Sequence, residues 1–127
     1  MHLVSKDILI HRFVPDDGAP TAAVRVTHRT ERKDAICNAT ISPHDNLRTA
    51  MAELVEKLNP HPDHIGRPKL LMFDEVTLKL PESTQDGLIT EMLWNFTRSQ
   101  WQYFVKCRND HASGVYDFAD LQLFEEA

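Results

Sequence analysis

Residues 42–59 have the apolar spacing of an α-helix with a single buried face. The apolar positions recur every three or four residues: Leu47, Ala50, Met51, Leu54, Val55 and Leu58. Ser42 can cap the first turn by accepting a hydrogen bond from the backbone N–H of Asp45. Asn59-Pro60 ends the helix, because proline disfavours helical geometry at the residue before it. A helix with one apolar face is stable only against another layer, so the chain has to supply a sheet for it to cover.

Length and composition are those of one ordinary globular domain. The chain has 127 residues, of which 42% are hydrophobic and 26% charged, and this predicts a single folded domain over residues 1–127. No apolar run approaches the roughly 18 residues of a membrane span. The N-terminus lacks the basic-then-apolar pattern of a signal peptide. Cys37 and Cys107 are too few for a disulfide framework, which favours a reducing compartment. These three features together predict a soluble, cytoplasmic protein that does not bind membranes.

The net charge of −5 lies entirely in the second half of the sequence. Residues 1–60 carry eight Lys and Arg against eight Asp and Glu, whereas residues 61–127 carry six against eleven. Phosphate contacts require a basic surface, so the balance argues against nucleic acid as a partner.

Three strands are predicted before the helix. The first covers residues 6–14, and the next two, residues 22–29 and 34–41, form a hairpin with a four-residue loop. The predicted register places Val26 opposite Cys37, Val24 opposite Ala39, and Arg29 opposite Asp34, because this aligns the apolar faces and pairs opposite charges. The residues predicted to face the core are Val24, Val26, Cys37, Ala39 and Ile41.

After the helix, the pattern predicts a strand over residues 70–80 and a second helix starting at Ser83. The prediction of this helix is based on a second apolar stripe: Leu88, Ile89, Met92, Leu93 and Phe96. Residues 99–108 fit either a continuation of this helix or a strand, and the aromatic content favours the strand. Residues 115–124 form the last strand. The predicted fold is therefore α+β, a mainly antiparallel sheet with two helices packed on it, in the order βββαβαββ.

No motif predicts catalysis. The four glycines are scattered, so there is no phosphate-binding loop, and no Gly-x-Ser-x-Gly turn is present. His61 and His64 flank Asp63 in a loop, but a zinc or iron site needs three or four ligands, so we expect no metal and no cofactor. An enzyme whose site is assembled from dispersed histidine and acidic residues stays an open alternative.

Two clusters are candidate binding sites. The first is a group of cations around the hairpin: Arg25, Arg29, Arg32 and Lys33. These side chains could hold an anion or an acidic patch of a partner. The alternative is a solvated hairpin whose own acidic residues neutralise part of this charge. The second cluster is aromatic: Trp94, Trp101 and Tyr103. It could contact a protein partner, because Trp94 lies off the apolar stripe of the predicted helix. A broader buried stripe is the alternative there.

Taken together, these features predict a non-enzymatic binding protein that acts through a surface, as an inhibitor, an adaptor or a self-associating subunit. Its partner would be another protein or a second copy. A small-ligand or anion-binding protein is the second hypothesis.

Overall fold

A computed structural model describes residues 1–14, 22–79 and 84–123. The described residues form nine strands, one α-helix and three 3-10 turns. The strands and the helix, in chain order, are β1 (His2–Val4), β2 (Ile8–Phe13), β3 (Ala23–His28), β4 (Lys33–Cys37), α1 (Pro43–Leu58), β5 (Glu75–Lys79), β6 (Thr84–Asn95), β7 (Gln100–Cys107), β8 (Gly114–Asp117) and β9 (Leu121–Leu123). The 3-10 turns are Ser5–Asp7, Asp110–Ala112 and Phe118–Asp120.

The chain divides into two compact units. The helix–hairpin unit is Lys6–Pro60, and the six-strand unit is Met1–Ser5 together with the chain from His61 onward. The prediction of one domain over residues 1–127 stays a prediction, because it depends on whether these units unfold together.

In the helix–hairpin unit, the antiparallel sheet β2-β3-β4 carries α1 on one face. The first predicted helix is confirmed: Ser42 Oγ accepts from the Asp45 N–H at 3.2 Å, and the helix ends at Leu58, ahead of Pro60. The predicted stripe is buried at five positions: Leu47, Ala50, Met51, Leu54 and Val55.

The predicted hairpin has the correct faces and the wrong register. Val24 pairs with Cys37 and Val26 with Ala35, and all four side chains are buried. The loop begins one residue earlier than predicted, at Arg29, because the buried His28 caps it: its Nδ1 accepts from the Glu31 N–H at 3.1 Å. The resulting shift of two residues preserves the faces, since side chains alternate with a period of two.

Two further details of the hairpin prediction are wrong. Ala39 and Ile41 are exposed, because β4 ends at Cys37 before reaching them. Asp34 forms its ion pair with Arg25, at 3.8 Å, and not with Arg29, since it lies opposite Thr27.

The six-strand unit is an antiparallel sheet in the order β8-β7-β6-β5-β9. β6 is its longest strand and pairs with β7 along one edge. Along the other edge, β6 pairs first with β5 and then with β1. The predicted strand 115–124, as far as the structure describes it, to residue 123, is two short strands, β8 and β9, which lie at opposite edges of this sheet.

The second predicted helix is wrong, because Thr84–Asn95 is strand β6. A β-bulge between Ile89 and Glu91 places Ile89 and Met92 on the same buried face, three residues apart, which imitates helical spacing. The sheet also explains Gly87, because a Cβ atom at this position of β6 would collide with the Val105 side chain of the neighbouring strand. The cap residue Ser83 and the turn at 15–20 lie outside the described residues.

The fold is therefore mainly antiparallel sheet with a single α-helix among the described residues, and the order βββαβαββ is wrong. The strand preferred over residues 99–108 is confirmed by β7, whose buried residues alternate as predicted: Trp101, Tyr103, Val105 and Cys107.

Candidate functional sites

The sheet of the helix–hairpin unit exposes apolar side chains on its outer face, which we define by Leu9, His11, Phe13, Arg25, Thr27, Asp34 and Ile36. On β3 and β4 these residues alternate with those that lie beneath α1. Leu9 is 50% exposed and Ile36 is 44% exposed. A sheet face that contacts only water normally carries polar side chains, so this apolar content requires an explanation.

The polar groups of the outer face contact its aromatic ring and one another. The Arg25 guanidinium lies 6.0 Å from the centre of the Phe13 ring, and its Nε lies 3.8 Å from Asp34. The His11 ring stacks on Phe13 with 5.6 Å between centres. The face therefore carries large apolar side chains on its two outer strands, β2 and β4, together with one cation on β3 and one anion on β4.

The structure separates the four cations predicted to bind an anion. Arg25 lies on the outer face, while Arg29 and Arg32 belong to the exposed loop. Lys33 Nζ donates to the carbonyl of Lys57, at the end of α1, at 3.0 Å. The four side chains therefore have different surroundings, and their role in anion binding stays a prediction.

In the six-strand unit, a cleft of about 450 Å³ lies at one end of β6 and β7. We call it the aromatic cleft. Its lining combines the three aromatic residues singled out in the sequence with side chains from three other segments: Gly66, Arg67, Lys69, Trp94, Arg98, Ser99, Gln100, Trp101, Tyr103, Asp117, Phe118 and Ala119.

The structure brings the three predicted partner-binding residues together on the buried face of β6 and β7. Trp94 pairs with Trp101 across the strands, edge to face, with 5.7 Å between ring centres. Trp101 and Tyr103 are buried, whereas Trp94 is half-buried. Trp94 belongs to strand β6 and not to a helix, and its contact with a partner stays a prediction.

Trp101 and Tyr103 have internal partners for their polar atoms. Trp101 Nε1 donates to the carbonyl of Gly66 at 2.7 Å. The Tyr103 hydroxyl accepts from the Leu70 N–H at 3.3 Å, and burial raises the pKa of this phenol. Both rings therefore anchor the segment 66–70 against the sheet and form the floor of the cleft.

Charged and amide side chains line the rim of the aromatic cleft. Arg98 Nη1 forms an ion pair with Asp117 at 3.1 Å, and Gln102 Nε2 donates to the same carboxylate at 3.0 Å. The Gln102 hydrogen bond and the Arg98 charge hold the pKa of Asp117 below its usual value. Lys69 Nζ lies 4.8 Å from the centre of the Phe118 ring.

Gln100 is the one described side chain with a buried polar atom that lacks a hydrogen bond. Its Nε2 is buried beside the Asp117 carboxylate, close enough to stabilise the negative charge but outside hydrogen-bonding geometry. Buried amide donors are normally paired, so this atom marks a place where a ligand acceptor could bind.

Sequence reasoning missed Lys69, Arg98, Gln100, Asp117 and Phe118 as components of a site. They come from three segments without a shared motif, and only the pairing of β7 with β8 and the path of residues 66–70 bring them together. A concentration of Trp and Tyr in residues 94–103 was the available signal, and it indicated only the floor of the cleft.

His61 and His64 are exposed, and together with Trp94, Phe96 and Ser99 they line a groove of about 390 Å³. Within residues 1–14, 22–79 and 84–123, no three His, Cys, Asp or Glu side chains are grouped so that they could hold a metal ion. The absence of metal at the two histidines stays a prediction.

A groove of about 620 Å³ beside Gly87 has a balanced lining, with two acids, Glu75 and Asp86, and two bases, Lys106 and Arg108. It therefore indicates no preference for the charge of a ligand.

No protein-family model matches this chain, and no curated protein and no solved structure matches it significantly. In the part of the chain that the structure describes, no helix has the length and apolar character needed to cross a membrane.

Proposed function

We propose that this chain is a non-enzymatic interaction protein that self-associates through the outer face of its three-stranded sheet. The observation that carries the proposal is the exposure of Leu9 and Ile36 on that face, which also carries Phe13. Fully burying a Leu, Ile or Phe side chain contributes about 1.5–3 kcal/mol, so covering this patch would supply a substantial driving force.

The charges of the outer face support a second copy as the partner. Arg25 and Asp34 lie on the same face and are each about half exposed, with side-chain exposures of 47% and 53%. In a two-fold dimer, each residue of one copy contacts its complement in the other, so Arg25 could pair with Asp34 of the partner subunit. In such a two-fold contact, each copy would contribute one positive and one negative charge, so the net charge of the two pairs would be zero.

Sedimentation over a concentration series tests the proposal. We expect the mass of the wild-type protein to rise with concentration. Ile36→Lys should weaken association by about tenfold or more, because it replaces an exposed apolar side chain of the face with a charge next to Arg25. Ile41→Lys is the matched control: Ile41 is 76% exposed and lies beyond β4, so its variant should associate like the wild type.

Charge reversal tests the orientation of the two copies. Arg25→Asp alone should weaken association by opposing two carboxylates, whereas Arg25→Asp combined with Asp34→Arg should restore it. A wild-type protein that stays monomeric at the highest attainable concentration would contradict self-association. Equal association of all variants would show that copies meet at another surface.

The proposed compartment is the reducing cytoplasm. Cys37 and Cys107 are free and buried, and burial raises the pKa of the Cys107 thiol, which disfavours its reactive thiolate.

A further inference from the structure

We infer that the aromatic cleft binds a small organic anion with a flat apolar body and one carboxylate. This site lies wholly within the six-strand unit and does not depend on the outer face of the other sheet. The inference rests on the charge of the lining, an unpaired donor, and the size and composition of the cavity.

The lining of the cleft is positive. Three cations, Arg67, Lys69 and Arg98, stand against one acid, Asp117, which is already paired with Arg98 and Gln102. Lys69 contacts a ring face, and within the described residues no carboxylate is paired with it. A ligand carboxylate beside Lys69 would therefore form a new ion pair without displacing an existing one.

The buried amide of Gln100 points to an acceptor in the ligand. Its Nε2 is excluded from solvent and makes no hydrogen bond, which is a cost that a bound oxygen atom would remove. The neighbouring Asp117 oxygens already accept from Arg98 and Gln102. A ligand oxygen that reached Gln100 would complete the hydrogen bonding of this part of the lining.

The cavity has the size and surface for an aromatic molecule. Its volume of about 450 Å³ falls within the range of roughly 300–1,000 Å³ that small-molecule sites occupy. Trp94, Trp101 and Phe118 supply ring surfaces, against which a planar body packs by stacking or edge contacts.

A carboxylate fits this lining better than a nucleotide phosphate. Phosphate sites use several backbone N–H groups at a glycine-rich loop or a helix N-terminus. The described lining contains one glycine, Gly66, whose carbonyl is already bound to Trp101, and no α-helix begins there. One accessible lysine and one amide donor suit a monoanion.

Tryptophan fluorescence of the full chain tests the inference directly, because both tryptophans of the protein line the cleft. The probes are benzoate and 2-naphthoate, the neutral controls are benzamide and 2-naphthamide, and inorganic phosphate tests for a simple anion site. We expect saturable quenching by the carboxylates, weak quenching by the amides, and none by phosphate. The two indole N–H signals in NMR spectra should shift with the same saturation.

Variants assign the response to the cleft. Lys69→Met should weaken carboxylate binding by about tenfold while leaving amide binding unchanged, because it removes charge and keeps the length of the side chain. Lys79→Met is the matched control, since Lys79 is an exposed residue of β5 outside the cleft. Gln100→Leu should also weaken carboxylate binding, because it removes the amide donor and keeps an uncharged side chain, and circular dichroism checks that this variant is folded.

Three results would overturn the inference: no saturable quenching by either carboxylate, equal affinity for carboxylates and amides, or carboxylate binding that Lys69→Met leaves unchanged. Saturable binding of phosphate alone would identify a simple anion site and also contradict the assigned ligand class. None of these results bears on self-association, which uses residues of the other unit.

Discussion

Asn46 is a completely buried polar residue in the first turn of α1, and its side chain joins the helix to both ends of the hairpin. Its Nδ2 donates to the carbonyls of Ala22 and Thr40, at 2.7 and 2.9 Å. Its Oδ1 accepts from the Thr40 N–H and hydroxyl, both at 3.1 Å, and from Cys37 Sγ at 3.4 Å. Nothing in the spacing of the sequence distinguishes this position from other polar residues of the helix.

Asn46→Ala should lower the free energy of unfolding by about 1–3 kcal/mol or more, since it leaves several buried groups unpaired. Thr49→Ala, an exposed substitution on the same helix, should change it by no more than about 0.5 kcal/mol. Urea denaturation followed by circular dichroism measures both. A loss for Asn46→Ala as small as that for Thr49→Ala would mean that water replaces the amide without cost.

Asp117 should make the stability of the protein depend on pH in the acid range. Its pKa is lowered in the folded state, mainly by the Gln102 hydrogen bond, so its contribution is present above the unfolded pKa of about 3.9 and is lost as the pH falls through the folded value. Asp117→Asn should therefore be less stable than the wild type at neutral pH, and the difference should shrink below about pH 4. Fluorescence-monitored denaturation across pH measures this difference, and a pH-independent gap would contradict it.

Strand β6 shows how one inserted residue alters the pattern of an element. Ile89 and Met92 face the same core although they are three residues apart, because the bulge at Thr90 occupies one extra position. Three-residue spacing is ambiguous in a sequence, since it belongs both to a helix and to a bulged strand. Gly87 is the residue in this segment that argues against a helix. A glycine is needed there because the Val105 side chain, which belongs to another strand, leaves no room for a Cβ atom.

Deleting Thr90 should be tolerated, at a cost of about 1 kcal/mol or a few degrees in melting temperature. The deletion removes the bulge and leaves Ile89 and Met92 two residues apart, so both remain on the core face. Deleting Gln102 from the regular strand β7 is the control, because it turns every later residue to the opposite face and should abolish the cooperative melt. Equal tolerance of both deletions would mean that strand register is weakly specified.

For the whole molecule, the open question is whether its two units unfold as one. Both tryptophans belong to the six-strand unit, and the described α-helix belongs to the helix–hairpin unit, so fluorescence and helical circular dichroism report on different units. The chain passes between the units twice, at Ser5–Lys6 and at Pro60–His61. A length of 127 residues is that of one domain, for which a single transition is the usual behaviour.

Leu54→Ala should therefore shift both signals together. Leu54 is fully buried on the apolar face of α1, and the substitution should cost about 2–5 kcal/mol. Under cooperative unfolding, the fluorescence and circular dichroism transitions move to the same lower urea concentration. A shift confined to the circular dichroism signal would show two independent domains and would overturn the prediction from length.

The features that the sequence determined by itself are those that depend on neighbours along the chain. Helix α1, its cap at Ser42 and its buried stripe follow from local spacing, and the alternation in β7 follows from the same kind of pattern. The sequence also predicted which face of β3 and β4 is buried, because this depends only on the alternation of apolar and polar residues along each strand. The register of the hairpin did not follow, because the imidazole of His28 set the start of the loop.

Only the tertiary structure decided the nature of β6, the separation of β8 from β9, and the composition of the aromatic cleft. The floor of the cleft could be anticipated from the aromatic run, whereas Lys69, Gln100 and Phe118 could not. These residues become neighbours only when β8 pairs with β7 and the segment 66–70 packs over Trp101 and Tyr103. Such contacts join residues about 35 positions apart, and a pattern read along the chain contains no signal for them.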